Sequence, residues 1–319
     1  NADTVTGPNS MRFVPVVPAN DGTRSWWSLA PTTALPAITG AATTIDGTAY
    51  LASDGVTVLN SNAAGPELEI RGPGASGYGL EISANNTTVR GLAINRFATG
   101  IALLGGDASV IAGNYLGPDP TGLVGEVGNW DEGVKVYGAT NTVIGGTDAA
   151  DRNVISGNRQ RGVFVDDYSD GVPAAISYGT TIIGNHIGTN ATGSASLPYN
   201  GAPSYQQIGV SIWASPDTVV GTASSGNVIS GNSWHGIYIW GVDATGNKIQ
   251  GNIIGRDAGG STPIPNGYES ATRSAVHISS APGVLIGGDG VGDGNVIASN
   301  SSIGISVVWA TAIDNAIVG

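Results

Sequence analysis

Two short phrases, Gly-(Val/Ile)-x-(Val/Ile) and Asn-x-Ile-x-Gly-Asn, alternate from about residue 79 to the C-terminus. Copies of the first begin at Gly79, Gly100, Gly133, Gly162, Gly209, Gly236, Ala275 and Gly304. Each is a minimal strand, with aliphatic residues two apart, one outward residue between them and a small residue where the chain bends in. Recurrence at a coil-like interval predicts a solenoid, in which every turn of chain buries its apolar face against the next. The fold expected is all-β: a right-handed parallel β-helix with three short strands per coil and about eight or nine coils.

The second phrase carries a parity rule. Its third residue is aliphatic at Ile111, Val143, Ile155, Ile182, Val219, Ile229, Ile249, Leu285, Ile297 and Ile317, whereas the residue after it varies. Strand alternation then predicts that these ten point inward. Many copies end in asparagine, at Asn114, Asn158, Asn185, Asn232, Asn252 and Asn300. Asparagine suits sharp turns, and identical amides stacked coil on coil can bond to one another.

Coil starts are irregular singly but regular in pairs, since Gly133 to Gly209 and Gly162 to Gly236 are 76 and 74 residues apart. The repeat is therefore two coils, in units near 133–208, 209–274 and 275–319, with a long excursion in alternate coils. The excursions start at Asn114, Asn185 and Asn252 and share a Gly-x-(Asp/Asn)-x-x-Gly pattern. Long loops on a tight solenoid are where partner contacts are expected. Residues 44–319 read as the β-helix, with first-coil strands expected at 44–47, 56–59 and 67–70. Residues 1–43 read as an N-terminal capping segment in which Trp26 and Trp27 cover the first coil. The last phrase stops in mid-coil, so an open end carrying Asn315 and Ile317 is expected. Trp26, Trp27, Asn315 and Ile317 become the candidates for end-to-end self-association into fibres.

Composition narrows the function classes. The chain has 12 Lys plus Arg against 24 Asp plus Glu, a net charge of −12, which argues against nucleic acid and against an anionic membrane surface. No run approaches the ~18 apolar residues of a membrane span. The absence of cysteine excludes disulfides and thiolate metal sites. Abundant Gly, Thr, Ser and Asn suit a secreted bacterial surface protein.

With residues 153–158, 227–232 and 185–193 as the matching segments, the chain resembles bacterial right-handed parallel β-helix repeat proteins of the pectate-lyase-like superfamily. It is most similar to long surface proteins with choice-of-anchor or CSLREA-type segments. Leu35-Pro36-Ala37-Ile38-Thr39 is similar to the entry segment of that group, although the CSLREA motif itself is absent. The resemblance implies a surface solenoid and leaves its activity open.

Three functions are expected in turn: a non-enzymatic structural or adhesive module, a lyase or hydrolase acting on acidic glycans, and a non-catalytic carbohydrate-binding module. Lyase chemistry needs a cation for the uronate and a basic residue to take a proton, and Arg159, Arg161, Asp166, Asp167 and Asp170 are the candidates. Sugar or partner stacking would use the outward aromatics Phe164, Tyr238, Trp240, Trp213 and Tyr137. No cofactor is expected, and Asp289 and Asp293 mark the one Gly/Asp-rich turn where an incidental Ca²⁺ would sit. Partners are expected to be another copy of the chain or a glycan surface.

Overall fold

The computed structural model describes residues 8–17, 24–125, 127–167, 177–198 and 206–319. They form a right-handed parallel β-helix with three sheets of ten, nine and eight strands, here sheets A, B and C. Sheet A runs from Asn9–Phe13 to Ala316–Val318, and sheet B from Trp27–Leu29 to Val296–Ile297. Sheet C runs from Tyr78–Ile82 to Ile303–Val308 through strands up to six residues long. Neighbouring strands pair in parallel, as with Glu132–Tyr137 on Arg161–Asp166. No helix among the described residues is long and apolar enough to cross a membrane.

Pairing register corrects the parity rule in three coils. In sheet A, Ile111, Ile144, Ile182, Val220, Ile249 and Ile286 align and are buried. Val143, Val219 and Leu285, expected inward, are partly exposed on the outer side. Each has an aliphatic neighbour, so a single coil offers two equivalent choices, and only the neighbouring strand decides between them. Sheet B follows the rule through Ile155 and Ile229, with Ile187 and Ile254 in the intervening coils.

The glycine near the start of most sheet C strands is required by close approach. A Cβ at Gly162 would lie 2.7 Å from the Gly209 carbonyl oxygen, and one at Gly209 would lie 2.6 Å from that of Gly236. Ala275 shows that one coil accommodates the extra carbon. Gly209→Ala, also 2.7 Å from Ile229 Cγ2, is expected to cost about 1–3 kcal/mol, read from urea unfolding midpoints. A stability equal to the parent's would show that every coil can relax as the Ala275 coil does.

The phrase-ending asparagines separate into two columns flanking sheet B. On the entry side, Asn114, Asn153, Asn185, Asn227, Asn252 and Asn295 pass amide hydrogen bonds of 2.9–3.2 Å from coil to coil. On the exit side the chain runs Asn129, Asn158, Gln206, Asn232, Asn266 and Asn300, at 2.9–3.1 Å. The asparagine amides also satisfy backbone groups that the tight turns leave unpaired. Asn185, for example, donates to the Ile144 and Ile183 carbonyls.

The excursions lie on one another. Ala191 N–H donates to Gly122 O at 3.0 Å and Ala258 N–H to Gly193 O at 2.9 Å, so each loop bridges to its counterpart two coils away. Each is closed by its own acidic or amide residue. Asp119 accepts from Val124 N–H, Asn190 from Ser194 N–H, and Asp257 from both Ser261 N–H and Thr262 N–H. The shared Gly-x-(Asp/Asn)-x-x-Gly pattern thus encodes a stacked loop layer, engaged with itself.

The N-terminal segment joins the solenoid directly. Asn9–Phe13 pairs with Thr43–Ala49, Trp27–Leu29 with Leu68–Arg71, and Ile38 bridges to Ile82. These residues make a rung within the segment read as a cap. Residues 56–59 do not form a helix strand; Val58 makes an antiparallel bridge to Tyr50. Trp27 is core, edge-on to Phe13 with ring centroids 5.5 Å apart, and is therefore buried away from any neighbouring solenoid. Trp26 is half-buried and donates from Nε1 to Glu69. At the other end, Asn315 braces the turn before sheet A by accepting from Val284 N–H, while Ile317 is 61% exposed.

Candidate functional site

The outer face of sheet C gathers most of the candidate residues. Reading across its strands, the outward central position is Glu81, Ala102, Lys135, Phe164, Ser211, Tyr238, His277 and Ser306. The outward position nearest the strand end carries Tyr137, Asp166, Trp213, Trp240 and Ser279 in successive coils. The position before the glycine carries Thr99, Glu132, Arg161, Ile208, His235 and Ser274. Inward neighbours such as Val134, Val163 and Ile237 are buried in the core, which holds these side chains on the outside.

Aromatic rings form two contacting groups across these columns. Phe164 stands edge-on to Trp213 at 5.2 Å, and Trp213 lies 5.5 Å from Trp240. On Trp240's own strand and the next, Tyr238, His235 and His277 cluster, with ring centroids 4.8–5.6 Å apart. Phe164, expected to be exposed, is buried, because the Arg161 guanidinium lies 4.2 Å from its ring centroid and Trp213 shields its edge. The half-buried rings available to a ligand are Trp213, Trp240, Tyr238 and His277. Tyr137 stands beside them, with the Lys135 ammonium 5.7 Å from its ring.

A charged group occupies the N-terminal half of the face. Arg161 pairs with Glu132 at 3.0 Å, and Thr99 donates to the other Glu132 oxygen at 2.9 Å. Burial raises the Glu132 carboxyl above its ordinary range, against the Thr99 hydrogen bond and the Arg161 charge. Lys135 reaches Asp166 at 3.8 Å. Tyr78, Asp131, Gln160 and Phe164 complete an open groove of about 560 Å³ here. Glu132, Lys135, Asp131 and Gln160 were not picked out by sequence reasoning, because each meets the face only through contacts to neighbouring coils.

The charged candidates divide. Arg161 and Asp166 belong to this face, whereas Arg159 lies outside it, 5.3 Å from the Trp130 ring. Asp167 Oδ1 is buried without a partner, and burial raises its carboxyl. Asp170 lies outside the described residues. Asp293 accepts from Gly290 N–H at 2.9 Å and so closes its own turn, with Asp289 at the start of that turn. No group of three or more metal-ligating side chains occurs among the described residues.

Histidine protonation follows from packing. His235 Nδ1 lies 3.1 Å from Ser274 N and 3.3 Å from Ser274 O, so the Ser274 backbone can meet either tautomer. Burial, with His277 and Arg273 adding to it, lowers His235 to about 4. His277 is lowered by burial and by Arg273. The Tyr238 phenol is raised by burial, with Ser279 opposing. Several polar atoms on this face have no partner: Arg161 Nε, Ser211 Oγ, Trp213 Nε1, Ser274 Oγ and His277 Nδ1. Unpaired buried groups are costly in a folded chain, and several together beside half-exposed rings mark a surface able to take further hydrogen bonds.

No protein-family model matches this sequence, and no curated protein sequence matches it. Solved structures with a similar chain path include the Dettilon tailspike protein, 14% identical, covering 93% of this chain and 60% of that one, with a TM-score of 0.44. An alginate lyase from Paenibacillus is 12% identical over 96% of this chain and 93% of that one, TM-score 0.44. A mannuronan C-5 epimerase A-module from Azotobacter vinelandii is 12% identical over 98% and 89%, TM-score 0.39. The chain thus spans less than two thirds of the tailspike's length.

Proposed function

We propose that this β-helix is an extracellular module that binds a polysaccharide along the outer face of sheet C without transforming it. The observation that carries the reading is the set of half-buried rings Trp213, Trp240, Tyr238 and His277 on three adjacent strands, backed by the buried Phe164 on the strand before them. At ~4.8 Å per strand, the five strands from Glu132–Tyr137 to Ser274–Ser279 extend about 19 Å, long enough for several sugar rings. Ring faces stack on the apolar faces of sugars, and the unpaired hydroxyl, indole and imidazole groups suit sugar hydroxyls.

The charges favour binding over lyase chemistry. Arg161, the candidate base, is held by Glu132, and Lys135 has Asp166 within 4 Å. The ion pairs are internal to the face, so sugar hydroxyls, more than uronate carboxylates, are its natural partners. On a glycan array the parent protein is expected to bind a neutral polysaccharide, and Tyr238→Ala to weaken that binding by about tenfold or more. Unchanged binding by both Tyr238→Ala and Trp240→Ala would reject the face. Polyuronate turnover abolished by Arg161→Ala would replace the reading with a lyase.

A further inference from the structure

A second charged group lies at the N-terminal end of sheet B. Leu68–Arg71 closes on Arg71, which pairs across the sheet with Asn95, the residue before Arg96. Glu69 shares the outward side of that strand. It accepts from Trp26 Nε1 at 3.3 Å and from Asn95 Nδ2 at 3.0 Å, so both carboxylate oxygens are engaged. Arg24 is placed here by its guanidinium, 6.0 Å from the Trp26 ring. Arg96 is anchored at a φ of 61°, its N–H donating to Val127 O and its carbonyl accepting from Gly74 N–H.

Three arginines are therefore placed next to residues that meet at one occupied carboxylate: Arg71 on the strand of Glu69, Arg96 after Asn95 and Arg24 over Trp26. None of them forms an ion pair with a described residue, and Arg96 Nε is buried with no hydrogen-bond partner. The Arg96 guanidinium is lowered by burial and by the charges of Arg71 and Arg24, with only Glu69 opposing. In a chain of net charge −12, such a local excess of cations is held against the overall balance. Guanidinium groups offer several planar donors, and a buried donor without an acceptor is costly.

We infer that Arg24, Arg71 and Arg96 form a binding site for a tetrahedral oxyanion of the sulfate class. This site is separate from the sheet C row and does not depend on its reading. A sulfate oxygen would fill the unmet valence at Arg96 Nε, and guanidinium–oxyanion bonds are charge-assisted. The anion could be free or an ester on a glycan, and the chemistry at the arginines is the same.

Equilibrium dialysis of the full chain against radiolabelled inorganic sulfate tests the site. Saturable binding near one equivalent per chain is expected, weakened at least tenfold by Arg71→Gln and by Arg96→Asn. Asparagine suits the second position because it tolerates the left-handed backbone there. Arg159→Gln, which removes a cation elsewhere, should leave binding unchanged. No saturable binding, or binding retained in both site variants, would overturn the inference. Where sulfate binds, displacement by a sulfated disaccharide but not its unsulfated form identifies an ester as ligand, and displacement by neither identifies the free anion.

Discussion

Asn185→Ala is expected to lower the unfolding free energy by about 3–5 kcal/mol, one of the two largest effects anticipated for this chain. The Asn185 amide donates to Ile144 O and Ile183 O at 2.9 Å and to Asn227 Oδ1 at 3.0 Å. Its oxygen accepts from the Asn153 backbone and side-chain amides at 3.2 and 2.9 Å. Five bonds vanish together in a fully buried site. The partners left behind are buried, so the cost reflects stranded groups more than the lost bonds themselves. Asn62→Ala, in an irregular loop with fewer coil-to-coil partners, should cost less. Chemical unfolding of both variants measures the difference. A loss below about 1 kcal/mol for Asn185→Ala would mean that the column is ornamental to stability.

Acidification should produce the second large effect. His186 and His235 are both lowered to about 4 by burial, with neighbouring positive charge adding to it: Arg152 at His186, His277 and Arg273 at His235. Lowered histidine values mean that the unfolded chain takes up protons first. Stability is therefore full above pH 6.5 and is lost as pH falls toward about 4. By pH 4 the loss is on the order of 2–3 kcal/mol per histidine. Glu67, Glu132 and Asp167, raised by burial, act in the opposite sense and trim the total. His186 Nδ1 lies 3.1 Å from Ala191 O under the stacked excursion, so loosening is expected to begin in that loop layer. Urea unfolding at pH 7 and pH 4.5 should show the drop, halved in a His186→Gln variant. An equal drop in parent and His186→Gln would place the acid sensitivity elsewhere.

Much of the fold was legible because it depends on short-range periodicity. Aliphatic residues two apart and glycines at coil intervals predict a parallel solenoid of three strands per coil, and the three parallel sheets agree. Parity failed only where two aliphatic residues adjoin, as at Val143-Ile144 and Val219-Val220, because neighbour register alone sets the face. The asparagines were legible as turn residues but not as two columns, since Asn129, Gln206 and Asn266 lie outside the repeating phrase. The N-terminal rung was missed because Asn9–Phe13 and Trp27–Leu29 carry none of the repeat phrases.

The sheet C face was half legible. Its aromatics stood out singly, and Phe164 and Tyr238 were placed correctly on the outward side. Its charged half was hidden, because Glu132 meets Arg161, and Lys135 meets Phe164, only across coils 29 residues apart. A signal did exist. Aligning the phrases on their glycines and reading down the variable position yields Lys135, Phe164, Ser211, Tyr238 and His277, a column that already describes the row. The arginines at 24, 71 and 96 gave no comparable signal, because the first two precede the repeats and the third follows the strand Leu92–Asn95, outside both repeat phrases.

Hydroxyl-radical footprinting with and without a bound polysaccharide tests the central claim most directly. Protection of Trp213, Trp240 and Tyr238 is expected, with Tyr178, exposed outside sheet C, still reactive. Protection at Tyr178, with the sheet C row unchanged, would contradict the account.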